Sequence, residues 1–93
     1  MHERRVVVRL PLGLHAKPAA EFAKRAQAYP CDVWLETDDG RSCDAKSVFG
    51  VLGLNITVSE LVCVSADGPG EERAVDALAK FLLGTYNSGS SCA

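Results

Sequence analysis

The valine triplet Val6-Val7-Val8, flanked by arginines and stopped by Pro11, constrains the fold of this chain more than any other feature. Three β-branched side chains in a row suit a pleated strand, here Arg4 to Leu10, and such a strand wants at least one buried face. Pro11 then removes a backbone donor and Gly13 permits unusual dihedrals, so Pro11 to His15 reads as a loop. After His15 the period changes. From Ala16 to Tyr29 the apolar residues Ala19, Phe22, Ala23 and Ala26 recur at spacings of three and four. Glu21, Lys24, Arg25 and Gln27 fall on the other side, the pattern of an amphipathic helix. Pro18 belongs in its first turn, where a missing N–H costs nothing.

Pro30 stops that helix, and Asp32 to Thr37 gives a second strand that ends at the turn signal Asp38-Asp39-Gly40. A short return strand, Arg41 to Asp44, completes a hairpin. Ser47 suits the N-cap of a small helix over Val48 to Leu54, with Asn55 able to take a left-handed conformation after it. Glu60 to Ala66 reads as a fourth strand and Asp67-Gly68-Pro69-Gly70 as a loop. Glu71 to about Leu83 is a third helix with the core stripe Ala74, Val75, Leu78, Phe81 and Leu82, ended by Gly84. This order predicts an α+β protein, an antiparallel sheet with its helices on one face. Residues 1–84 are expected to form the domain, and residues 85–93, rich in Ser, Gly and Asn, a mobile tail.

Composition bounds the function. With 93 residues and 47% hydrophobic content the chain has the make-up of one compact domain, so one site is sought. A formal net charge of −2, with no basic run beyond Arg4-Arg5, argues against nucleic acid. The longest nearly apolar stretch, Val48 to Val58, is broken by Gly50, Gly53, Asn55 and Thr57 and falls short of the roughly 20 apolar residues of a membrane span. Met1 to Arg5 lacks a signal-peptide core, which leaves the cytoplasm as the expected compartment. Cys31, Cys43, Cys63 and Cys92 are then expected as reduced thiols. No Cys-x-x-Cys spacing and no paired His occur, so no metal site is expected. Asn55-Ile56-Thr57 matches a glycosylation acceptor, a pattern that arises often by chance.

Gly13-Leu14-His15-Ala16-Lys17-Pro18-Ala19-Ala20 sets a histidine just before a helix whose first N–H groups lack intrahelical partners. Those donors, the Ala16 amide among them, and the positive end of the helix dipole make a site for a dianionic phosphate. Lys17 can add a full charge. An imidazole with a free lone pair there can attack phosphorus, and the adduct is readily passed on. By spacing alone a lone histidine at a helix start is more often a cap or a solvated side chain.

The motif closely resembles the phosphoacceptor segment of HPr, the phosphocarrier family of the bacterial phosphoenolpyruvate:sugar phosphotransferase system. Ala45-Lys46-Ser47-Val48-Phe49-Gly50-Val51-Leu52 resembles the family segment around its regulatory serine. Ala66-Asp67-Gly68, with Ala74, Val75 and Leu78, resembles the entry to its last helix. The resemblance spans about Val6 to Leu83 and implies an open-faced β-sandwich, a four-stranded sheet under three helices. It implies that His15 accepts phosphate from phosphorylated Enzyme I and gives it to an EIIA domain, as a monomer without cofactor and without small-molecule turnover of its own. It implies regulation at Ser47 by an HPr serine kinase/phosphorylase, or contact with a transcription regulator. Val48, Phe49, Val51, Leu52 and Leu54 exceed what one short helix can bury, so Val48, Phe49, Val51 and Leu52 are expected to form a docking patch with the His15 loop. Three positions depart from the pattern: Lys17 where arginine is usual, Leu12 where a polar residue is common, and Asn55 where glycine is frequent. Lysine lacks the bidentate fork, and Leu12 withdraws a hydrogen bond. Two other readings use the same scaffold: a regulatory interaction module switched at Ser47 with His15 idle, and a nitrogen-related phosphotransferase carrier.

Overall fold

The computed structural model describes residues 1–11 and 13–84. The chain forms β1 (His2–Val7), α1 (Ala16–Gln27), β2 (Asp32–Thr37), β3 (Ser42–Asp44), α2 (Val48–Gly53), β4 (Leu61–Asp67) and α3 (Glu71–Leu82). The four strands make one antiparallel sheet in the order β1-β4-β2-β3. This is the open-faced α+β sandwich expected, and the reason lies in strand alternation. Along β2, Val33, Leu35 and Thr37 point inward while Asp32, Trp34 and Glu36 point out. Along β4, Val62, Val64 and Ala66 point inward. The register sets Val6 and Thr37 on either side of Val62, and Leu35 beside Val64, so one face of the sheet is continuous and apolar.

The helices cover that face. α3 lies against β1, β4 and β2, α1 packs on α3, and α2 sits between α1 and β3. Phe22 of α1 meets Phe81 of α3 with ring centroids 6.0 Å apart and planes tilted by 50°. Such a pair adds about 0.5–1.5 kcal/mol beyond area burial. Both rings are buried, with Leu14, Leu35, Leu78 and Leu82 around them.

Element ends differ by a few residues from the sequence expectation, for reasons a local pattern cannot supply. β1 starts at His2, because pairing with Ala66 reaches past the valines into charged residues. It ends at Val7, although the Val8 N–H still donates to Glu60 O at 2.9 Å. The Arg9 N–H turns away to Leu82 O at 2.8 Å. α1 stops at Gln27; the N–H groups of Ala28 and Tyr29 donate three residues back, to Arg25 O and Ala26 O, tightening the last turn before Pro30. Leu12 and the expected tail, Cys92 included, lie outside the described residues. Cys31, Cys43 and Cys63 are free thiols. Among the described residues no helix is long and apolar enough to cross a membrane.

Candidate functional site

His15 is the N-cap residue of α1, in extended conformation (φ −84°, ψ −168°), and its side chain makes no capping hydrogen bond. The sequence explains the placement. Gly13 takes a left-handed φ of +72° and brings the backbone onto the segment Ile56-Thr57 so tightly that a Cβ would lie 2.7 Å from Thr57 Cα and closer still to Ile56 O. The Leu14 N–H donates to Ile56 O at 3.0 Å, and the Leu14 side chain is buried. With Leu14 driven into the core, the next residue emerges at the surface, and His15 is exposed.

The helix start beside it has open donors. His15 O accepts from the Ala19 N–H at 2.8 Å, and Pro18 carries no N–H. Among the described residues nothing accepts from the amides of Ala16 or Lys17. Lys17 is exposed and, among the described residues, forms no ion pair, and no acidic side chain occupies the first turn of α1. Two unpaired N–H groups, the positive end of a 12-residue helix and a lysine thus surround an exposed imidazole. An oxyanion attached to that ring would find donors and no repelling carboxylate in the turn. Proline at the third helical position removes a donor that would otherwise need a partner.

Ser47 caps α2 as the spacing predicts. Its Oγ accepts from the Gly50 N–H at 3.1 Å, and its own N–H donates to Asp44 O at 3.0 Å. Gly50 suits this closeness: a Cβ there would lie 3.2 Å from Cys43 Cβ and 3.3 Å from Ser47 Oγ, a tight fit. Asn55 adopts φ +50°, the left-handed conformation its side chain tolerates.

The predicted docking patch needs one correction. Val51 is completely buried in the core and cannot meet a partner, because a six-residue helix lying between α1 and β3 turns one full side inward. Leu54 is buried with it. Phe49 projects outward, 86% exposed, with Val48 and Leu52 partly covered. Phe49, in the first turn of α2, is the most exposed large apolar side chain among the described residues. Sequence reading missed the backbone contact between Gly13 and Ile56-Thr57, for which Gly13 itself was the only local signal.

Comparison with known proteins places this fold. Residues 2–83 match the PTS-HPr family model, described as the PTS HPr component phosphorylation site. The phosphocarrier protein HPr of Vibrio cholerae is 37% identical over 82 residues, 88% of this chain and 95% of that protein. The HPr-like protein Crh of Bacillus subtilis is 38% identical over the same lengths. A crystal structure of the HPr of Bacillus anthracis superposes with a TM-score of 0.84 at 34% identity, covering 87% of this chain and 95% of that one. With a matching fold and a family match across nearly the whole domain, this chain belongs to the HPr family of the phosphotransferase system.

Proposed function

We propose that this chain is a cytoplasmic phosphocarrier that takes a phosphoryl group onto His15 from phosphorylated Enzyme I and passes it to an EIIA-type acceptor of the sugar phosphotransferase system. The observation that carries this reading is the exposed His15 ring beside the open amides of Ala16 and Lys17. In the forward step a ring-nitrogen lone pair attacks phosphorus in line. The bond from phosphorus to the donor breaks, and the departing group keeps that electron pair. The developing charge on the phosphoryl oxygens meets the two N–H groups, the helix dipole and Lys17. In the onward step protonation of the imidazole makes it a good leaving group for the acceptor's attack. Because the same groups hold the adduct in both directions, the carrier stays reversible. Lys17 supplies charge but not a planar fork, so it holds phosphate less firmly than arginine would.

Ser47 is the proposed regulatory residue, modified by an HPr serine kinase/phosphorylase. Its phosphate would add about two negative charges beside exposed Phe49, on the face offered to Enzyme I, while remaining compatible with the N-cap of α2. The charged edge strand β1, with Glu3, Arg4 and Arg5 in sequence, discourages strand-to-strand pairing and supports a monomer.

A second reading, a regulatory module switched at Ser47 with His15 idle, is favoured by the equally high identity to the HPr-like protein Crh. One experiment separates the two. Incubation with Enzyme I and phosphoenolpyruvate should add a single acid-labile phosphate, absent from His15→Ala and passed to an added EIIA domain. A chain that gains no mass under these conditions is not a carrier of the sugar system. A phosphate accepted only from a nitrogen-related Enzyme I would keep the chemistry and reassign the partners.

A further inference from the structure

We propose that Arg41 and Glu60 are positioning residues for His15, an inference that rests on the carrier reading above. Among the described residues of the loop 11–14, the one backbone hydrogen bond to a distant part of the chain runs from the Leu14 N–H to Ile56 O at 3.0 Å. Gly13 lies directly against Ile56-Thr57 as well. The orientation of the loop therefore depends on what holds residues 54–60, whose exit is tied to the end of β1 by the Ser59 N–H to Val8 O at 2.7 Å and the Val8 N–H to Glu60 O at 2.9 Å, while its middle has no such backbone tie. The segment contains two non-glycine residues in the left-handed region, Asn55 at φ +50° and Ser59 at φ +73°. It lies between α2 and β4 and belongs to neither.

Two side chains add the remaining hold, from the entry of the segment to Thr57. The Glu60 carboxylate folds back so that Oε1 accepts from the Thr57 N–H at 3.0 Å, closing the turn with the Glu60 N–H to Thr57 O at 3.2 Å. Arg41, at the far end of the β2–β3 hairpin, donates through Nη1 to Leu54 O at 2.6 Å and approaches Glu60 Oε2 through Nη2 at 3.4 Å. Its Nε is held in turn by both oxygens of Asp39, at 3.0 and 3.1 Å. One guanidinium thus grips the entry of the segment by its carbonyl and the exit by its carboxylate, using donors whose planar geometry is fixed. Ile56 O and the Thr57 backbone, which meet the His15 loop, sit between these two grips. A single exposed ion pair contributes little. Here the pair closes a bracket around strained backbone, and the consequence is read at His15 rather than in global stability. A misplaced nucleophile loses rate even when binding is intact, because in-line attack tolerates little displacement.

The test compares Glu60→Ala and Arg41→Ala with Arg4→Ala, which removes an exposed ion pair to Asp76 on α3. In the Glu60 and Arg41 variants hydrogen exchange at the Leu14 N–H should accelerate by about tenfold or more while β4 amides keep their protection. The His15 ring resonances should move. The maximal rate of phosphorylation by Enzyme I should fall by about fivefold or more, with the half-saturating Enzyme I concentration within about twofold of the parent. Glu60→Gln, which keeps an oxygen for the Thr57 N–H but turns an amide NH2 toward Arg41, should recover part of the loss, and Arg4→Ala should change none of these. If Glu60→Ala does not fold, Arg41→Lys serves, since one ammonium cannot span both Leu54 O and Glu60. Parent-like Leu14 exchange and His15 signals in folded Glu60 and Arg41 variants would overturn the proposal, whatever happens to the melting temperature. A parent chain that accepts no phosphate would refute the carrier reading instead, and Leu14 exchange would still decide whether the bracket holds the loop.

Discussion

Replacing Gly13 by alanine asks how firmly the His15 loop is seated. At φ +72° any L-residue pays for the left-handed conformation, about 1–2 kcal/mol. The new methyl would also lie 2.7 Å from Thr57 Cα and 2.9 Å from Thr57 C, backbone atoms that cannot swing aside as a side chain would. Overpacking of this kind adds about 1–3 kcal/mol, for a total of about 2–5 kcal/mol. Gly40 supplies the control, since it has φ +95° with nothing within 4 Å of an added Cβ, so Gly40→Ala carries only the conformational part. Gly53, in α2 with equally open space, should tolerate alanine or gain about 0.5–1 kcal/mol. In urea titrations with a shared m-value the order of stability should be Gly53→Ala, parent, Gly40→Ala, Gly13→Ala. The gap between the last two should reach about 1 kcal/mol or more, or roughly 4–8 °C in melting temperature for each kcal/mol. Equal losses at Gly13 and Gly40 would mean that the loop can lift off Ile56-Thr57 freely, and the explanation of why His15 faces outward would fail.

Three further outcomes are expected. Val51→Ala should lower stability by about 2–3 kcal/mol, because it empties a fully buried site, whereas Phe49→Ala should stay within about 0.5 kcal/mol and weaken Enzyme I binding; the converse pattern would reverse the assignment of α2's faces. The thiol of Cys43 is pushed up to about 11, by burial and then by Asp44, so at pH 8 its alkylation by iodoacetamide should run about 100-fold slower than that of an exposed cysteine, read by peptide mass mapping. Asp39 is held below the ordinary 3.8 by the Thr37 hydroxyl and Arg41, Asp76 below 3.8 by Lys80 and Arg4, and Glu71 below 4.5 by the Gly68 N–H and the chain's amino terminus. Since each folded value is depressed, the stabilisation is present above about pH 4–5 and lost as pH falls through the folded values. The amino terminus is raised above 8.0, chiefly by Glu71, so its smaller contribution is present below that pH and lost above its folded value. Melting temperature against pH should be level from about pH 5 to 7.5 and fall on the acid side; a level curve down to pH 2.5 would contradict these pairings.

Much of this architecture is readable from local pattern because its elements obey one period each. α1 alternates Ala19, Phe22, Ala23 and Ala26 against charged residues, and all four are buried. Ser47 announces a cap, and its hydroxyl caps. The position of His15 is legible because Pro11, Gly13 and Pro18 punctuate the approach to the helix on both sides. Where the sequence misleads, the missing information is long-range. Six residues of α2 give too few turns for periodicity to choose a face, so Val51 is indistinguishable from Phe49 until α1 and β3 are in place. The start of β1 depends on how far β4 extends opposite His2, which valines cannot signal. Contacts such as Gly13 with Thr57, or Arg41 with Leu54 O, join residues of ordinary type whose proximity only the folded sheet creates.

The Ala16 and Lys17 amides, left open at the tip of α1, are the groups that would receive phosphate carried by His15, and on them the proposed carrier chemistry depends. Their role is tested most directly by recording 1H–15N spectra before and after chemical phosphorylation of the chain with phosphoramidate. A phosphohistidine signal at His15 is expected, with large downfield shifts of the Ala16 and Lys17 amide protons and with α3 and β4 unmoved. Phosphate settling on His2 instead, or a phosphorylated His15 that leaves both amides where they were, would contradict it.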